Sequence, residues 1–421
     1  MDRLPGFRDF YPEPLPHKDV WSADVRGYIF NTWRQVSLRY GFREYDGPPL
    51  EPLELYTLKS GDEIVAQLYN FTDKGQRQIS LRPEMTPTLA RMVAAHHGNY
   101  RKPIKWFSIP QLFRYERQQK GRLREHFQLN ADILGDEASG ADAEIIALAI
   151  DVLRAFGLTH EDFVIRLSSR SAWSQYFSRR CSHQERSYEF FQIIDKLERE
   201  DPVVSREKLS QLGLSYDEVT AFIASGQPTE ELQSILDNLT ARGLSDFVKI
   251  DYGVIRGLAY YTGPVFEAFD RKGNFRAIAG GGRYDHLTQL ISGGKVQIPS
   301  LGFGMGDVVL TELLKERGLL PTFSAPAQIY ALIEDESLRL RSLTAIQAFR
   351  DAGFSTDYSL APLKADKQFK RALELRAQWT FRLEKSDASE LVYLLKTLST
   401  REEQRFSSLE QTLQFLQNQP H

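Results

Sequence analysis

Between Phe113 and Gly135 the chain reads FRYERQQKGRLREHFQLNADILG, and Arg114, Arg117, Lys120, Arg122 and Arg124 place five cations within eleven residues. Guanidinium forks match paired phosphate or carboxylate oxygens better than point charges do. The arginine-rich turn closes on a strand-like run that carries Gln128 and Asp132. A hairpin of this kind can hold a polyanion and read a small polar ligand together. Taken alone, a basic turn is more often a solvated hairpin than a site, so its weight depends on what accompanies it.

Four further segments accompany it in order: RLPGFRDFYP at the N-terminus, LRPEMTPTLAR from Leu81 to Arg91, VIRGLAYYTGPVFE from Val254 to Glu267, and AIAGGGRYDHL from Ala277 to Leu287. Together with the basic hairpin, which resembles motif 2 of the class II aminoacyl-tRNA synthetases, they resemble the histidyl-tRNA synthetase family. The resemblance covers nearly the whole chain. It implies a ligase that joins histidine to tRNA(His) with ATP and Mg²⁺. In such a reaction the substrate carboxylate is itself the nucleophile, so the protein must hold two anions in line and neutralise the charge that builds on phosphorus.

Residue by residue, the resemblance gives Arg114 the α-phosphate, Glu116 the adenine amino group, Arg122 the triphosphate tail, and Arg256 a bridge between substrate carboxylate and α-phosphate as the principal catalytic residue. Glu84, Thr86 and Gln128 fall where the family receives the α-ammonium. Asp132 and Tyr261 fall where it contacts the imidazole, with Tyr260 and Tyr284 also at the histidine pocket, and Arg117 and Gln119 where the tRNA acceptor end is read. A pocket of polar partners rejects analogues lacking the matching groups by about 10⁴ to 10⁵. Gly280, Gly281 and Gly282 permit close backbone approach, although such glycines usually mark a turn or bulge, and paired tyrosines are usually core.

Three positions depart from the family pattern. In IPSLGFGMGDVVL, Val309 stands where motif 3 commonly has an arginine that sandwiches the adenine, Ala259 replaces a frequent aspartate, and His126-Phe127 reverses a frequent order. Losing a phosphate-facing cation can remove several kcal/mol of transition-state stabilisation. On this reading Asp307 is expected to turn toward Mg²⁺ or the ribose. The valine also keeps a rival open, the histidine-sensing regulatory subunit of ATP phosphoribosyltransferase, which shares the catalytic fold without aminoacylation.

The elements that must position these residues are legible in part. Val25, Ile29, Trp33, Val36 and Tyr40 recur at helical spacing within Pro16–Tyr40, followed by a short strand broken by Pro48 and Pro49. The resemblance places Pro48 at a homodimer interface. Strand-like runs at Gln78–Leu81, Lys105–Ile109, Gln128–Ile133, Phe163–Leu167, Phe247–Tyr252, VFEAFD and FRAIAG are too closely spaced for strict βαβ units. They predict an α+β fold: an antiparallel sheet flanked by helices over residues 1–323, which the resemblance implies is the class II synthetase sheet, with a helical insertion at about 171–243. Residues 327–421 alternate strand and helix, predicting a small doubly wound α/β domain that resembles the family's anticodon-binding domain. Lys364, Lys367, Lys370 and Arg371 share a face of its helix Leu363–Gln378.

Composition sets the outer bounds. A chain of 421 residues has length for two or three domains, and 42% apolar with 26% charged residues is ordinary for a soluble globular protein. No apolar run approaches the ~20 residues of a membrane span and no secretory leader is recognisable, so a cytoplasmic location is expected. The single cysteine, Cys181, excludes an internal disulfide framework, the eight histidines show no metal-ligand spacing, and no metal site of the protein's own is expected. A net charge of −3 argues against indiscriminate nucleic-acid coating while allowing local basic patches.

Overall fold

A computed structural model describes the chain except for residues 1, 18–19, 61, 116–122, 256–259, 324–326, 387 and 420–421, and the side chains of 59–64. It divides into two compact units, Met1–Leu320 and Pro321–His421. The α+β class expected from the spacing of strand-like runs is what it has.

The first unit is built on a nine-stranded sheet. Its strands are β1 (Arg43–Glu44), β2 (Ile104–Ser108), β3 (Gln111–Phe113), β4 (Glu125–Leu134), β5 (Phe163–Ser169), β6 (Val248–Ile250), β7 (Pro264–Asp270), β8 (Ala279–Arg283) and β9 (Ser300–Gly306). They run β6-β5-β7-β8-β9-β4-β2-β1, with β3 paired to β4. The interior pairings are antiparallel, and the parallel ones lie at the two edges, β6 on β5 and β1 on β2.

Side-chain alternation along β4 explains how this sheet separates a core from a site. Leu129, Ala131 and Ile133 point to one face and are buried at 0–3% exposure. Gln128, Asn130 and Asp132 point to the other, as the period of two requires. Helices pack with the strands: α1 (Ala23–Arg39), α2 (Thr86–His96), α3 (Ser139–Arg154) and α4 (Asp307–Arg317). In α1 the residues Val25, Ile29, Trp33 and Val36 are buried at the expected helical spacing. The helix begins at Ala23 rather than Pro16, because the Ser22 hydroxyl caps it by accepting from the Val25 amide at 3.2 Å, and Trp21–Ser22 pairs as a short strand with Phe10–Tyr11. Helix α3 is apolar almost all round and correspondingly buried.

Glycine placement corrects the expected strand FRAIAG. The strand begins at Ala279 and consists largely of the glycine run itself, AGGGR, fully buried. A Cβ on Gly281 would collide with the Gly302 carbonyl of β9, so these glycines are the condition for the two strands to lie as close as they do. Between β5 and β6 the chain is helical, with Arg170–Arg180, Ser187–Lys196, Pro202–Gln211, Tyr216–Ser225 and Glu230–Ala241.

In the second unit a five-stranded sheet runs in the order β11-β10-β12-β13-β14, from β10 (Ile329–Ala331), β11 (Thr356–Tyr358), β12 (Trp379–Lys385), β13 (Leu391–Thr397) and β14 (Glu403–Phe406). Only β11, β10 and β12 are parallel; β12, β13 and β14 form an antiparallel meander. The sheet is therefore mixed where a doubly wound one was expected. The basic helix is α5 (Ala365–Glu374), shorter than predicted, and Lys364, Lys367, Lys370 and Arg371 are all exposed. Among the described residues no helix is long and apolar enough to cross a membrane.

Candidate functional site

The polar face of β4 looks over a floor without side chains. Residues directly opposite in an antiparallel ladder share a face, and here Asp132 lies opposite Gly302, Gly302 opposite Gly282, Asn130 opposite Gly304, Gly304 opposite Gly280, and Gln128 opposite Gly306. The result is a trough running across β9 and β8, walled at the β4 side by carboxylate and amide groups. The glycines are required: a Cβ on Gly302 would meet the Asp132 carboxylate, and one on Gly304 would stand 2.6–2.8 Å from the Gln128 amide atoms. Gln128 and Asp132 thus lean over β9 into space that any larger residue would fill.

Asp132 is 3% exposed, and the Tyr284 hydroxyl donates to its Oδ1 at 2.5 Å. Burial lifts the carboxyl to about 7, against the Tyr284 hydrogen bond, which favours the charged form. The same burial, with Asp132 beside it, raises the Tyr284 hydroxyl well above its ordinary range. Tyr284 meets Tyr260 at a ring-centroid distance of 5.8 Å, and Tyr260 meets Tyr261 at 4.9 Å. From Tyr260 the chain of contacts continues, its hydroxyl donating to Glu84 Oε2 at 3.3 Å. Glu84 is 9% exposed and stands two residues before Thr86, which opens α2 with Pro87 in its first turn. Arg114 completes the rim, its Nε donating to the Pro83 carbonyl at 3.1 Å.

The structure therefore brings Glu84, Thr86, Arg114, Gln128, Asp132, Tyr260, Tyr261 and Tyr284 to one region, although they span positions 84 to 284. Glu116, Arg117, Gln119, Arg122 and Arg256 lie outside the described residues. Pro48 is exposed, between β1 and the strand Leu50–Pro52.

Asp307 departs from its expected role. It is 3% exposed and opens α4, but its Oδ2 accepts from Arg8 Nη1 at 2.8 Å and its Oδ1 from the Phe127 amide at 3.0 Å. Its oxygens are engaged inside the protein, so it is not oriented to serve a metal ion or ribose. Burial raises this carboxyl despite the opposing Arg8 charge. Two arginines acquire positions that their motifs did not foretell. Arg8 bridges Glu125 and Asp307. Arg283 of the GGGRYD run donates to Asp142 of α3 at 2.5 Å and to the Asp136 carbonyl at 2.9 Å, anchoring β8 to the helix layer.

A family description for histidyl-tRNA synthetase matches residues 22–306. A relative from Opitutus terrae named histidine–tRNA ligase is 43% identical over 422 residues, spanning 95% of this chain and 94% of the relative. Among solved structures, the histidyl-tRNA synthetase of Nostoc sp. PCC 7120 shares the fold with a TM-score of 0.76 at 22% identity, covering 96% of this chain and 97% of the other. A Bacillus halodurans protein titled an ATP phosphoribosyltransferase regulatory subunit/histidyl-tRNA synthetase shares it at a TM-score of 0.71 and 21% identity, covering 88% and 96%.

Proposed function

The chain belongs to the histidyl-tRNA synthetase family, and from that premise we propose that it is a histidine–tRNA ligase, activating L-histidine with ATP and transferring it to tRNA(His). The observation that best supports this is the Tyr284–Asp132 pair at the end of a glycine-floored trough whose opposite wall carries Glu84. An imidazole offers an N–H and a second nitrogen, an ammonium offers three donors, and the trough supplies a carboxyl, phenol hydroxyls and a second carboxylate at separate places.

In this reading Glu84, Thr86 and Gln128 receive the α-ammonium, while Asp132 and Tyr261, with Tyr260 and Tyr284 around them, hold the ring. The substrate carboxylate is thereby directed toward Arg114, whose side chain stands beside Pro83 at the rim. A carboxylate oxygen attacks the α-phosphorus, the bond to the bridging oxygen breaks, and pyrophosphate leaves. A terminal ribose hydroxyl of the tRNA then attacks the activated carbonyl and AMP departs. Arg114, Arg122 and Arg256 neutralise charge on the phosphates during the first step, and Glu116 selects adenine. Mg²⁺ travels with the nucleotide and offsets phosphate charge. Arg117 and Gln119 meet the acceptor end, residues 327–421 bind the anticodon arm, and the working form is a homodimer in the cytoplasm with Pro48 at its interface.

Val309 favours the regulatory-subunit reading, because it removes a cation where the family commonly has one. Against that reading stands a ligase relative matched over 95% of this chain, the C-terminal unit included. Charging of tRNA(His) with labelled histidine by the purified protein tests the proposal. Esterified tRNA is expected, and a folded protein that binds histidine but leaves the tRNA uncharged would favour the regulatory role.

A further inference from the structure

We propose that Arg8 is a positioning residue for activation, fixing the nucleotide-binding hairpin against the N-terminus of α4; the inference rests on the synthetase reading above. Its guanidinium is almost wholly out of water, at 1% side-chain exposure, as are Glu125 at 1% and Asp307 at 4%. Arg8 Nε donates to Glu125 Oε1 at 2.7 Å and Nη1 to Asp307 Oδ2 at 2.8 Å. One planar fork thereby spans two carboxylates from distant parts of the chain, a geometry that an ammonium cannot reproduce.

The location of those carboxylates gives the contact its consequence. Glu125 is the first residue of β4, directly after the basic turn, and Asp307 follows Gly306, which lies opposite Gln128. Arg8 therefore ties together the two elements that meet at Gln128. The same N-terminal segment also takes hold of the hairpin's returning limb. The Arg124 amide donates to the Gly6 carbonyl at 3.0 Å, and the Arg124 carbonyl accepts from the Arg114 amide at 2.9 Å. Arg114, the residue assigned to the α-phosphate, is thus one backbone hydrogen bond from a strand end whose position Arg8 sets. The Asp132–Tyr284 end of the trough belongs to other contacts.

Arg8 should accordingly act on the nucleotide side of the reaction more than on the histidine side. In full-length protein, Arg8→Lys keeps the charge and loses the fork. In ATP–pyrophosphate exchange it is expected to raise the KM for ATP by about tenfold or more and the KM for histidine by clearly less, the latter through Gln128 alone among the histidine-side groups, since misplacement of a binding group by ~1 Å can lower rate by up to about 10². Asp307→Asn, which retains an acceptor for the Phe127 amide, should shift the same constant in the same direction by less. Thermal unfolding of each variant serves as the folding control, and if Arg8→Lys fails to fold, Asp307→Asn decides by the same two constants. A folded Arg8→Lys protein with both constants unchanged, or both raised equally, would overturn the positioning role. Should the wild type bind histidine without exchange, the ligase reading fails separately, and ATP titration calorimetry on the same variants tests Arg8: weakened ATP binding sustains the proposal and unaltered binding refutes it.

Discussion

Asp132 combines full burial, one tyrosyl donor and a carboxyl lifted to about 7. If it accepts an imidazole N–H, Asp132→Asn keeps the size and removes the charge-assisted bond, which is worth about 1.5–3 kcal/mol. The KM for histidine should then rise by roughly 10- to 100-fold with that for ATP nearly constant, and equal changes would show that Asp132 shapes the whole site. The same substitution has a signature without substrate. An unfolded aspartate titrates near 3.9, so between about pH 4 and 7 the folded protein retains a proton that the unfolded chain has released, and this group's contribution to stability falls as pH rises through that window. The thermal midpoint of free Asp132→Asn should therefore gain on the wild type as pH is raised from 4 to 8; a constant difference would mean that Asp132 is not held in its protonated form.

At the scale of elements, the glycine-floored trough depends on β9 and β8 as much as on β4. Gly304→Ala places a methyl group 2.6–2.8 Å from the Gln128 amide. Overpacking of this kind costs about 1–3 kcal/mol, and Gln128 is the side chain able to move. The variant should fold, with its circular dichroism retained and its midpoint lowered, and should bind histidine about tenfold more weakly by calorimetry. Unchanged affinity in a folded variant would remove Gln128 from the ammonium site. Here the sequence is legible in an uneven way. Alternation in QLNADIL marks β4, and the apolar spacing of Val25, Ile29, Trp33 and Val36 marks α1. By contrast, SLGFGMG carries no strand propensity, and it forms a strand only because its neighbours need glycine to approach. Polar positions such as Glu84, Gln128 and Asp132 are singled out in the sequence only through the family resemblance, and the fold brings them to one region. Arg8 is not singled out, because its partners lie 117 and 299 residues away and nothing local indicates them. In the second unit WTFRLEK reads directly as β12, whereas the meander that follows is set by pairing rather than by pattern.

For the whole molecule, the division between Leu320 and Pro321 leaves every residue assigned to ATP and histidine in the first unit, and the exposed Lys364, Lys367, Lys370 and Arg371 in the second. A chain ended after Phe323 should form histidyl-adenylate at near the normal rate while its efficiency of transfer to tRNA falls by orders of magnitude, and the lost phosphate contacts should flatten the salt dependence of tRNA binding. Light scattering must show that it stays folded in the oligomeric state of the intact chain, since deletion can expose apolar surface. A folded truncation that charges tRNA(His) as well as the intact chain would remove the anticodon role from residues 327–421. The claim on which these expectations depend is that the trough activates histidine. Its most direct test is amino-acid-dependent ATP–pyrophosphate exchange by the purified full-length protein, with each standard amino acid in turn. Exchange with histidine and with none of the others is the expected result; saturable histidine binding with no exchange at any ATP or Mg²⁺ concentration would contradict it.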